Sequence, residues 1–133
     1  MSIPKNLPRN SSGLSGEYFV AAELYRRGYS VGMTIGNAKA IDILAEKDGV
    51  AYQIQVKTIR SIKSIGWPLM QDQIKDGVIY ILVNLNWDKE PDYYILFPEE
   101  VRKFHKQYST RGIIGLHPVR NDGSYTNKWS RIK

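Results

Sequence analysis

With 24% charged and 42% hydrophobic side chains over 133 residues, the chain reads as a globular domain spanning residues 1–133, long enough to bury a core. The absence of cysteine excludes disulfides and thiolate zinc sites, while a formal net charge of +6 and a pI near 9.5 favour a polyanionic partner such as nucleic acid. No apolar run is long enough to cross a bilayer and no signal-peptide core opens the chain, so no membrane role is expected, the cytoplasm is the expected location, and the Asn10-Ser11-Ser12 sequon is coincidental.

Residues 1–12, with their prolines, asparagines and paired serines, predict an irregular arm. From Gly13 to Arg27 the periodicity becomes helical: Val20, Ala21 and Leu24, together with Tyr18, Ala22 and Tyr25, form a wide apolar face, and Arg26-Arg27-Gly28 is a stop signal. Tyr29 to Thr34 reads as a strand, and Gly36-Asn37 as a turn into two alternating runs over residues 40–57. After these, Trp67-Pro68 breaks a run of isoleucines, and a short helix is expected around Leu69–Lys75. The continuous apolar run Val78–Val83 predicts a strand covered on both faces, and Tyr93–Phe97 the next strand. Pro98-Glu99-Glu100 opens a helix with Val101, Phe104 and Tyr108 as its buried stripe. The tail holds a short strand at Ile113-Ile114 and a turn at Asn121-Asp122-Gly123. The order α-β-β-β-(α)-β-β-α-tail is that of an α/β domain with a mixed sheet.

The most informative segment is the hairpin over residues 40–57, whose Asp48-Gly49 pair is a strong two-residue turn signal. Counting outward from that turn sets Lys47 against Val50, Leu44 against Gln53, Asp42 against Gln55 and Ala40 against Lys57. Alternation then gathers Asp42, Gln55 and Lys57 on one face and sends Ile41, Ile43, Tyr52, Ile54 and Val56 to the other. Apolar neighbours on both faces imply a doubly covered sheet, where a carboxylate, an amide and an ammonium are costly to bury without a purpose. Gln53 shares the polar face and is either a second polar ligand or a lining residue.

These residues resemble the signature of the PD-(D/E)XK nuclease superfamily, also called the restriction-endonuclease-like fold. That signature is an Asp on the second strand of a meander and (Glu/Asp/Gln)-X-Lys on the third, here Asp42 and Gln55-Val56-Lys57, with an acid on the preceding helix, here Glu17 within Gly16-Glu17-Tyr18. By element order the resemblance covers about residues 13–97. It implies a mixed central β-sheet, an antiparallel meander plus further strands, flanked by helices, with a crossover helix after the third strand. It also implies hydrolysis of DNA phosphodiester bonds with Mg²⁺, or Mn²⁺ in its place, by a homodimer. Asp42 would supply a carboxylate ligand, Gln55 its amide oxygen and Val56 its backbone carbonyl, as a hard cation requires. Lys57 would hold or deprotonate the attacking water and offset transition-state charge, and Glu17 would hold a water of the metal shell or orient Lys57.

Most members carry Glu where this chain has Gln55, and the neutral amide lowers intrinsic metal affinity; Gln-X-Lys is the form resembling Mrr-type restriction enzymes. In length and charge the chain is similar to archaeal-type Holliday junction resolvases. Lys39, Arg60 and Lys63 are candidates for a phosphate track, against the plainer reading of a solvated basic surface. His105 and His117 stand at no metal spacing, and Trp67, Trp87 and Trp129 read as core before they read as base-stacking platforms. No Walker A, dinucleotide-binding glycine run or nucleophile elbow is present. The alternative function is a catalytically weak or inactive module of the same fold that binds nucleic acid or serves as an accessory subunit.

Overall fold

The computed structural model of the chain describes residues 2–34 and 41–132. Its elements, in chain order, are α1 (Ser11–Arg26), β1 (Ser30–Met33), β2 (Ile43–Lys47), β3 (Val50–Ile59), β4 (Gly66–Pro68), a 3₁₀ turn (Gln71–Gln73), β5 (Val78–Asn84), β6 (Asp92–Leu96), α2 (Pro98–Phe104), β7 (His105–Gln107), β8 (Gly112–Gly115), α3 (Leu116–Asp122) and a 3₁₀ turn (Trp129–Arg131). Helix α1 buries Gly16, Val20, Ala21 and Leu24, one stripe at helical spacing, and ends where Gly28 turns left-handed at φ 87°.

The β2–β3 hairpin has the register counted from its turn as far as Ile43: Lys47 pairs Val50, Leu44 pairs Gln53 and Ile43 pairs Ile54. Ahead of Ile43 the expected Asp42–Gln55 pair is replaced by a bond from Asp42 N–H to Ile54 O, and Ala40 lies outside the described residues. Asp48 and Gly49 both take positive φ, 54° and 78°, which matches the turn's twist to that of the strands. Strand β3 runs on past its hairpin partner and pairs in parallel with β5, Gln55 beside Tyr80 and Lys57 beside Leu82. The central sheet has the order β1-β2-β3-β5-β6, antiparallel except for the β3–β5 pair, and a second sheet has the order β4-β8-β7.

Each face of the central sheet has its own core. One holds Val20, Leu24, Ile43, Ile54, Ile81 and Trp129 beneath α1. The other holds Trp67, Leu69, Tyr80, Leu82, Val101 and Ile114, between the central sheet and the elements that follow β3 and β6. All of β5 is buried, as its unbroken apolar run requires. The expected mixed α/β architecture is therefore the one observed.

Several local expectations change. Trp67-Pro68 is not a break but strand β4, which pairs antiparallel with Ile113 and Ile114. The connection from β3 to β5 carries β4 and one 3₁₀ turn instead of a crossover helix, so the helix expected at Leu69–Lys75 shrinks to Gln71–Gln73. Helix α2 stops at Phe104 because residues 105–107 pair with β8, which leaves Tyr108 55% exposed instead of buried. Asn121-Asp122 close helix α3, with Gly123 at φ 78° as its left-handed cap, where a simple turn was expected. On α1, Tyr18 and Tyr25 face solvent, so the buried stripe is narrower than the apolar pattern. The expected Gly36-Asn37 turn lies outside the described residues.

Candidate active site

Asp42 lies just ahead of β2, and three backbone-directed bonds fix it. Its N–H donates to Ile54 O at 2.9 Å and its carbonyl accepts from Thr34 N–H at 3.0 Å. Its carboxylate Oδ2 accepts from Val56 N–H at 2.7 Å, so the side chain replaces a ladder partner where β2 has not yet begun. Within a strand, the N–H and C=O of one residue point to the same side. Val56 therefore directs its carbonyl, like its N–H, toward the end of the hairpin where Asp42 sits. The sequence pattern set Val56 among the core residues of β3, and its side chain is buried there beneath α1.

Gln55, one residue earlier, is only 7% exposed, as is Asp42. Its Oε1 is buried and has no hydrogen-bond partner among the described residues. A buried amide oxygen left unpaired costs about 1–3 kcal/mol, so the position works against stability unless a ligand satisfies it. Lys57, two residues on, is half-buried on the same face of β3. Glu17 reaches the site from α1, whose backbone approaches β3 closely at Gly16: a Cβ there would lie 1.9 Å from Thr58 Oγ1.

These residues share one cleft of about 550 Å³, lined by Asp42, Gln55, Val56, Lys57, Glu17 and Thr58, with the start of α1 at its rim. The five positions named for chemistry thus come together, although Gln55 and Lys57 belong to one sheet face and Val56 to the other. The described residues contain no group of three or more His, Cys, Asp or Glu that could hold a metal. The donors that do fit a hard cation are oxygens of three kinds: the Asp42 carboxylate, the orphaned Gln55 amide oxygen and the Val56 carbonyl.

The basic candidates divide differently. Lys39 lies outside the described residues. Arg60 and Lys63 do not line the cleft; Arg60 instead donates to the carbonyls of Lys5 and Pro4, at 3.0 Å each, and lies 4.6 Å over the Trp87 ring. Lys63 is exposed in the loop before β4. Gln53 is exposed opposite Leu44 and is not a lining residue, because the second face of the hairpin is open to solvent near its turn. Trp67 is fully buried, with its Nε1–H donating to Val83 O at 3.0 Å, which fits its reading as core. Residues the sequence reading passed over also line the cleft, chiefly Arg9, Asn10, Thr34 and Thr58. Asn10 had a signal, since Asn10, Gly13, Leu14 and Glu17 recur at helical spacing and so share one stripe of α1.

The architecture is a nuclease-like fold. It is similar to the solved structure of the bacterial homing endonuclease I-Ssp6803I, with a TM-score of 0.58 over 80% of this chain and 73% of that chain, at 14% sequence identity. No protein-family model matches the sequence, and no curated protein matches it. Among the described residues no helix is long and apolar enough to cross a membrane.

Proposed function

We propose that the chain is a cytoplasmic, Mg²⁺-dependent endodeoxyribonuclease of the PD-(D/E)XK type, in its Gln-X-Lys form, acting on DNA as a homodimer so that both strands are reached. The observation that carries this reading is the buried Gln55 Oε1, left without a partner in a cleft that also holds Asp42, Lys57 and Glu17. A side chain buried at a cost to stability, beside a carboxylate and an ammonium, is what a ligand site requires and what a plain core does not. The similarity to a homing endonuclease, with the Asp42 carboxylate bonded to Val56 N–H next to Gln55 on β3, supports the same reading.

In this reading Asp42, Gln55 and the Val56 carbonyl hold the cation, with Mn²⁺ able to replace Mg²⁺ in the same oxygen set. The ion would supply charge compensation on the phosphate and a more acidic water at neutral pH. Lys57 holds the attacking water in line with the scissile bond and opposes the negative charge that grows on the phosphate oxygens. Glu17, reaching in from α1, orients Lys57 or a water beside it. Asp42 keeps its own geometry through Val56 N–H, so ligand and strand are set by one hydrogen bond.

Nicking of supercoiled DNA with Mg²⁺ or Mn²⁺ tests the assignment. Wild-type protein is expected to nick, and Asp42→Ala and Lys57→Ala each to lose at least about a hundredfold in rate, the range for removing a pre-placed ligand or charge-stabilising group. Nicking that persists in both variants would sink the site. The binding-module alternative draws on the neutral Gln55, which leaves Asp42 as the one anionic ligand of the set. Tight DNA binding without cleavage by the wild type would favour it.

A further inference from the structure

We propose that Arg9 contacts a phosphate of the bound nucleic acid at the rim of this cleft, and that Arg60 and Trp87 form a clamp that holds the N-terminal arm so that Arg9 stands there; the inference rests on the nuclease reading of the site. The arm has no regular structure of its own before α1. It is nevertheless fastened at two places. Arg60 Nη1 and Nη2 donate to two successive carbonyls, Lys5 O and Pro4 O, at 3.0 Å each. Further along, Ser11 N–H donates to Pro8 O at 3.0 Å and joins the arm to the first turn of α1.

The clamp is built on its far side as well. The Arg60 guanidinium lies 4.6 Å over the Trp87 ring, and Trp87 N–H returns to Arg60 O at 2.7 Å. Trp87 holds φ at 62°, a left-handed conformation that a bulky residue adopts only when its surroundings require it. A guanidinium and a strained tryptophan thus hold a stretch of backbone that buries little itself.

Past the clamped residues and within the turn closed by the Ser11–Pro8 bond, Arg9 is exposed and lines the cleft together with Asp42, Gln55 and Lys57. It makes no hydrogen bond or ion pair among the described residues, even though two carboxylates line the same cleft. The first turn of α1 carries no acid to neutralise it. The Arg fork matches a phosphate in two parallel hydrogen bonds, and the positive end of α1 adds to its field. The unpartnered, nine-tenths buried Gln55 amide oxygen in the same cleft points independently to a bound group there. Arg60 is thereby a positioning residue, acting on the nucleic acid through the arm.

Anisotropy of a fluorescein-labelled DNA duplex, titrated with KCl in EDTA, separates these roles because each phosphate contact contributes about 0.9 to the slope of log K against log salt. Arg9→Ala is expected to lower the slope by about one contact, Arg60→Ala to lower it by the same amount, and the double variant to lower it no further. Arg60→Lys keeps the charge but cannot span two carbonyls, so it should behave like Arg60→Ala; retention of the wild-type slope would mean that Arg60 touches phosphate itself, and would overturn the clamp. Tryptic cleavage after Lys5 should quicken in Arg60→Ala and stay unchanged in Arg9→Ala, a readout independent of DNA. An unchanged slope in Arg9→Ala, or additive losses in the double variant, would overturn the proposal while leaving the nuclease reading intact. A wild-type protein with no salt-dependent DNA affinity would remove both.

Discussion

Gln55 is where stability and function oppose each other most directly. Its amide is buried in the cleft with an oxygen that nothing among the described residues satisfies. Replacing it with leucine removes the unpaired group and keeps most of the volume. Gln55→Leu should therefore raise the unfolding free energy, by about 1–3 kcal/mol from the desolvation penalty it relieves, while metal-stimulated DNA cleavage falls to background. Urea melts and the nicking assay, run on one preparation, check both halves; a variant both less stable and fully active would contradict the ligand role. Gln55→Glu moves the other way, because a second carboxylate beside Asp42 repels it until a cation binds. Its melting temperature should drop in EDTA and recover with Mg²⁺, whereas that of Gln55→Leu should not respond to Mg²⁺.

The position of Glu17 depends on an element, since α1 can bring it to the cleft only by lying close to β3. Gly16 permits that approach, because any Cβ would meet Thr58 Oγ1 at 1.9 Å. Gly16→Ala gains helix propensity yet should destabilise the protein by about 1–3 kcal/mol through overpacking, and should lower cleavage more than its stability loss explains because α1 carries Glu17 away. Thr58→Ala in the same chain should restore part of both, as measured by thermal melts and cleavage rates. The hairpin that sets Asp42 against β3 was legible in the sequence because the information was local: Asp48-Gly49 fixes its register, and alternation fixes its faces. Strand β4 was not, because Trp67 and Pro68 pair with Ile114 and Ile113, far along the chain. Proline reads as a breaker, yet at the edge of the second sheet its missing N–H does no harm. Pairing with the same strand, β8, overrides helical periodicity at His105–Gln107. At the cleft, Asp42, Gln55, Val56, Lys57 and Glu17 were readable from motif and local pattern, whereas Arg9 was not, since the bonds from Arg60 that fasten the arm are tertiary.

Across the whole molecule, the two cores on either side of the central sheet share a sensitivity to alkali. Burial pushes the phenol of Tyr93 up to about 12, with Glu23 adding to the shift, in the core beneath α1. Burial also raises Tyr29 in that core and Tyr80, Tyr94 and Tyr125 in the other. An unfolded tyrosine ionises near 10, so a raised value in the fold means that the folded state favours the neutral phenol. The stability this contributes is fully present below pH 10 and is lost as pH climbs from there through about 12. Both layers carry such groups, and each packs on β5, which is buried along its whole length. Loss of either core should therefore expose the other, and alkaline unfolding should be a single transition. Far-ultraviolet circular dichroism and tyrosinate absorbance, followed together through the alkaline range, should show part of the tyrosinate signal appearing only as the secondary structure disappears. Complete ionisation ahead of any loss of dichroism would contradict the burial of these phenols in two mutually dependent layers.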